Sequence, residues 1–128
     1  MGYDFMFIPL KANPNRDYPV TFDLLKEGDE GGQLPWEAFK TWLLSIGGSE
    51  NGGPNSIHVD YGDDGSINFS TDGTSYISLD VHADWSRVHE AFVMMQQLDA
   101  NCLLSDPQEG DFHDLNSFKR FWDSNASQ

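Results

Sequence analysis

Three runs in the middle of the chain alternate apolar and polar residues with a period of two. Ile57, Val59 and Tyr61 alternate with His58 and Asp60, and Ile67 and Phe69 with Ser66, Asn68 and Ser70. Ile77, Leu79 and Val81 alternate with Ser78, Asp80 and His82. Successive side chains of a strand point to opposite faces, so each run has one apolar and one wet face. Gly62-Asp63-Asp64-Gly65 and Asp72-Gly73 separate the runs with turn chemistry. The pattern predicts a three-stranded antiparallel meander. Pairing Val59 with Phe69 would set Asp60 opposite Asn68 and His58 opposite Ser70. Pairing Phe69 with Ile77 would set Asn68 opposite Ser78, although a two-residue Asp72-Gly73 turn would shift that register by one.

The flanks change period. Tyr3 to Leu10 is apolar on both faces and reads as a central strand that Pro9 ends. Lys11 to Tyr18 and Gly28 to Gly32 have loop composition, and Val20 to Leu25 is ambiguous. Trp36, Phe39, Leu43 and Ile46 recur at helical spacing after Pro35, and Gly47-Gly48 stops that helix. Asp84 is suited to cap a second helix with Trp85, Val88, Phe92, Met95 and Leu98 as its buried stripe. Cys102 to Leu104 reads as a short strand, and Asp106 to Gly110 as a turn. Asp114 caps a last helix carrying Leu115, Phe118, Phe121 and Trp122.

The expected order is β-α-β-β-β-α-β-α. This is an α+β fold, with a mainly antiparallel sheet and the helices packed on one face. One acidic domain over residues 1–123 is expected, with a frayed tail at 124–128.

Composition adds that the chain can bury a core. It has 128 residues, 38% of them hydrophobic and 13% aromatic. Cys102 is the single cysteine, so no internal disulfide forms; with no recognisable leader or membrane span, the expectation is a cytoplasmic protein.

Charge changes the picture more. The net charge is −14, which opposes direct binding to nucleic acid or to anionic membranes. Between Thr41 and Phe118 stand 13 acidic residues and one basic residue, Arg87. Such a stretch repels itself, and a basic partner is one reason to retain it. The candidate partner-binding carboxylates are Asp60, Asp63, Asp64, Asp72, Asp80, Asp106, Glu109, Asp111 and Asp114. Trp42 lies off its helix's main stripe, where it either packs at the edge or serves as a candidate aromatic anchor.

Catalytic and metal chemistries find little support. Asp60 to Thr71 resembles a calcium loop at Asp60, Asp64 and Gly65, but Gly62 and Thr71 stand where ligands belong. His58, Asp60, Asp80 and His82 share the wet face, but a strand separates the two histidines by roughly 10 Å. No nucleophile elbow, HExxH, CxxC or phosphate-cradling loop occurs. Cys102 sits in an apolar run and reads as a buried, inert thiol. No cofactor, catalytic residue or metal is expected.

The opening Gly2-Tyr3-Asp4-Phe5-Met6-Phe7, and the Trp85 helix followed by a strand and Asp106-Pro107-Gln108-Glu109-Gly110, resemble small bacterial immunity proteins. These neutralise polymorphic or contact-delivered toxins. The resemblance covers short patches and assigns no residue a role. It implies a non-enzymatic inhibitor, an immunity protein or antitoxin, whose acidic surface blocks a basic surface of a toxin. An acidic nucleic-acid mimic or regulator of a nucleic-acid enzyme is the alternative. A small metal-binding or enzymatic domain using the polar sheet face is another, and a plain scaffold module a fourth.

Overall fold

A computed structural model describes residues 2–10, 20–21 and 33–126. The loops expected over Lys11 to Tyr18 and Gly28 to Gly32 lie outside the described residues. The elements are β1 (Tyr3–Ile8), β2 (Val20–Thr21), α1 (Trp36–Ser45), β3 (Ser49–Glu50), β4 (Ser56–Asp60), β5 (Gly65–Thr71), β6 (Ile77–Ala83), α2 (Trp85–Leu98), β7 (Leu103–Asp106), β8 (Asp111–His113) and α3 (Leu115–Ala126). The fold is α+β, and the expected element order recurs with three short strands added: β2, β3 and β8. Helix α3 continues past Asp123, where fraying is expected, to Ala126.

The eight strands among the described residues form one sheet in the order β2-β8-β7-β1-β6-β5-β4-β3, and every pairing between them is antiparallel. β1 is central, as its apolar composition implies. β4, β5 and β6 make the meander, but both of its registers differ from the expected ones by two residues. Val59 pairs with Ile67, and Phe69 pairs with Leu79. The turns cause the difference. The β4–β5 connection closes through the Tyr61 N–H donating to the Gly65 carbonyl at 2.8 Å. The β5–β6 loop spans Asp72 to Tyr76, longer than a two-residue turn. A shift of two preserves the faces, so the same residues stay wet.

The packed face carries the core. Phe5 and Phe7 of β1, Ile57, Val59, Ile67, Phe69, Ile77 and Leu79 are fully buried against Phe39 and Leu43 of α1, Val88, Phe92 and Met95 of α2, and Phe118 of α3. Each such side chain contributes about 1.5–3 kcal/mol on burial. Aromatic edges tie the layers together. Phe7 meets Phe39 edge-on at 5.8 Å and stacks on Phe92 at 5.6 Å, and Phe5 meets Phe118 edge-on at 5.5 Å. A smaller cluster of Leu10, Leu103 and Phe112, flanked by Ile8, is also buried. Strand alternation places Ile8, Leu103 and Phe112 on the opposite face of the sheet.

The helix ends follow local rules. Gly47 has φ +100°, and the Gly48 N–H reaches back to the Leu43 carbonyl at 2.9 Å, the closure of a Schellman motif. The Asp84 carboxylate accepts the Ser86 N–H at 2.9 Å, and that of Asp114 accepts the Ser117 N–H at 2.9 Å. Leu98, expected in the buried stripe of α2, is 39% exposed at the last turn. No helix among the described residues is long and apolar enough to cross a membrane.

Candidate interaction surface

With the helices on one side, the other side of the meander is an open face among the described residues. The pairings place Asp4, Asp80, Asn68, His58 and Ser49 in one row across five strands. His82, Ser66 and Asp60 form a second row, and Met6, Ser78, Ser70 and Ser56 a third. Apart from Met6 the rows contain carboxylates, imidazoles, hydroxyls and one amide, but no Lys or Arg. Asn68 is held in place, accepting from Asn51 at 3.0 Å and donating to Ser56 at 3.2 Å. His82 lies 3.1 Å from Asp80.

The nine candidate carboxylates divide by role. Asp60 and Asp80 are exposed on the open face, and Asp63 and Glu109 are exposed at turns. Asp111 is half-buried on β8. Asp64 accepts from Arg87 Nε at 2.9 Å, and Arg87 also reaches Glu90 at 3.2 Å, its guanidinium 5.0 Å above the Tyr61 ring. The one basic residue of the acidic stretch is therefore engaged within the molecule. Asp72 is exposed, but its carboxylate closes the β5–β6 loop by accepting the N–H groups of Thr74 at 3.0 Å and Ser75 at 2.8 Å, with the Ser75 hydroxyl also donating. These hydrogen bonds hold it far below the usual carboxylate range. Asp114 is a helix cap.

Asp106 corrects the expectation of a surface carboxylate. It is fully buried, and the Tyr3 hydroxyl donates to both of its oxygens, at 2.9 and 3.1 Å. The N–H groups of Gln108 and Glu109 donate to it as well. Burial nonetheless raises its pKa, the hydrogen bonds opposing the shift. Trp42 is half-buried against the core, its ring 5.6 Å from that of Phe39, which places it at the edge of the packed layer.

Among the described residues no three His, Cys, Asp or Glu side chains converge as metal ligands. His58 and His82 stand on β4 and β6 with β5 between them. Asp60 to Thr71 forms a hairpin, and the Asp60 carboxylate accepts the Gly62 N–H at 2.8 Å. Cys102 is buried, and burial raises its thiol well above the ordinary value.

Two features escaped sequence reasoning. A cavity of about 290 Å³ opens where the β4–β5 turn meets the start of α2, lined by Tyr3, Asp63, Asp64, Gly65, His82 and Trp85 among others. Its residues come from three separate stretches of the chain, which the Tyr3–Val81 and Gly65–Ala83 pairings bring together. The second is His113, 2% exposed, with Nδ1 2.9 Å from the Ser117 hydroxyl and its ring stacked on Phe121 at 5.3 Å. Its Nε2 is buried without a hydrogen-bond partner among the described residues.

No protein-family model, curated protein or solved structure matches the chain.

Proposed function

We propose that this chain is a non-enzymatic protein-binding domain, an immunity protein or antitoxin that neutralises a toxin by covering a basic surface. The observation that carries the reading is the open sheet face. It presents Asp4, Asp60 and Asp80 with no Lys or Arg in its rows, while Arg87 is committed to Asp64 and Glu90. Such a face costs self-repulsion in the free protein, and a cationic partner relieves it. Complementary charge would also speed the encounter and exclude acidic competitors. The short patches that resemble immunity proteins support the same reading.

The test is capture of the partner by the tagged chain, identification of that partner, and stopped-flow association at increasing salt. The expected partner is a basic toxin whose activity is abolished at a one-to-one ratio, with an association rate that falls steeply as salt rises. A captured partner without toxic activity, or association indifferent to salt, overturns the reading.

A further inference from the structure

We propose that the cavity beside the β4–β5 turn is a pocket for one arginine side chain of the basic partner, an inference that rests on the protein-binding reading above. Three observations converge on it. The first is shape. The cavity holds about 290 Å³, with carboxylates at Asp63 and Asp64, the His82 imidazole, and apolar surface from Tyr3 and Trp85. A guanidinium suits that lining, because it donates a planar fork to carboxylates while its weakly hydrated faces lie on aromatic rings.

The second is rigidity. The turn that carries both carboxylates is pinned at each end, by the Tyr61 N–H on the Gly65 carbonyl and by the Asp84 N–H on the Asp64 carbonyl, each at 2.8 Å. Gly65 has φ +98°, and a Cβ there would lie 2.1 Å from the His82 carbonyl oxygen, so no larger residue fits where the turn meets β6. Trp85 is wedged by Tyr3 at 5.0 Å, Phe5 at 5.2 Å and Phe121 at 5.4 Å. A pocket built this way loses little entropy when it is filled.

The third is the state of the carboxylates. Arg87 engages one oxygen of Asp64 while lying over the Tyr61 ring. The molecule thus already seats one guanidinium between a carboxylate of this turn and an aromatic ring. Asp63, by contrast, has no hydrogen bond or ion pair among the described residues and remains open to a cation from outside. An anionic ligand would meet two carboxylates there.

The test is titration of the ¹⁵N-labelled full chain with hexa-arginine and, separately, hexa-lysine peptides at physiological salt. The expected result is saturable shifts centred on the Gly65 and Ala83 amides and the Trp85 indole, with hexa-arginine binding more tightly. Asp63→Asn removes one charge-assisted contact and should weaken hexa-arginine about tenfold. Asp99→Asn, an equal charge change at the opposite end of α2 from Trp85, should weaken it less than about twofold. Asp63→Ser repeats the measurement should the first variant lose its dispersed spectrum. Equal affinity for the two peptides, shifts spread over all acidic loops, or equal losses from Asp63→Asn and Asp99→Asn overturn the pocket. The partner-capture experiment is scored separately, so a failed pocket leaves a diffuse acidic binding surface standing.

Discussion

The Tyr3 hydroxyl, at the start of the central strand, donates to both carboxylate oxygens of Asp106, 103 residues away in sequence and fully buried. Asp106 also accepts from the backbone of the turn that follows it, so one carboxylate joins β1 to the β7–β8 hairpin. Removing the hydroxyl leaves a buried acceptor short of a donor, which costs about 1–3 kcal/mol. Tyr3→Phe should therefore lower the urea midpoint without changing the slope. Asp106→Asn should cost less, since its amide oxygen still accepts from Tyr3. The double variant should lose less than the sum of the two, because both act on one contact. Because burial raises the Asp106 pKa, its contribution is greatest below the ordinary carboxylate pKa and declines as pH rises through the raised value. Asp106→Asn should abolish that decline.

His113 shows the opposite dependence. Burial lowers its pKa below the ordinary imidazole value, against the pull of Asp111 and Asp114 and aided by Arg120. The neutral ring is favoured in the fold, so its contribution is present above the ordinary value and is lost as pH falls through the lowered one. His89 is shifted in the same direction, by burial and by Lys119. His113→Phe keeps an aromatic ring among Phe118 and Phe121. It should reduce, without removing, the drop in stability between neutral and mildly acidic pH, as read by denaturant melts at each pH.

The Asp72 loop is expected to fail locally. Asp72→Ala strips three backbone N–H groups, those of Thr74, Ser75 and Tyr76, of their shared acceptor. By analogy with a lost helix cap, this should cost about 0.5–2 kcal/mol. Amide exchange should quicken at Thr74 to Tyr76 while β1 stays protected. Uniform loss of protection over the whole sheet would contradict this local role.

Cys102 offers a reactivity check. The thiol is buried, and burial raises its pKa. A thiol-reactive disulfide reagent should label the native protein only as fast as it opens, and the denatured protein at once. Rapid labelling under native conditions would show that the β7 end of the sheet is open to solvent.

Most elements were legible in the chain because their causes are local. Alternation over Ile57 to Val81 is a strand's own geometry, and the spacing of Trp36, Phe39 and Leu43 a helix's. Gly47, Asp84 and Asp114 act within a few residues of themselves. The strands β2, β3 and β8 were not legible, since two or three residues carry no period and depend on a neighbour for pairing. Asp106 misled for a related reason: beside Pro107, Glu109 and Gly110 it reads as turn chemistry, and nothing nearby announces Tyr3.

What the sequence determined by itself was the α+β class, the wet and packed faces of the meander, and the concentration of acid from Thr41 to Phe118. Those depend on side-chain type and near-neighbour spacing. Tertiary structure alone decided which carboxylates the surface keeps. Asp106 is withdrawn into the interior, Asp64 is shared with Arg87, and Asp63 is left open beside Trp85. The Tyr3–Asp106 and Arg87–Asp64 contacts join partners distant in the chain that the strand register brings together, and register is settled by how turns close and how the sheet packs.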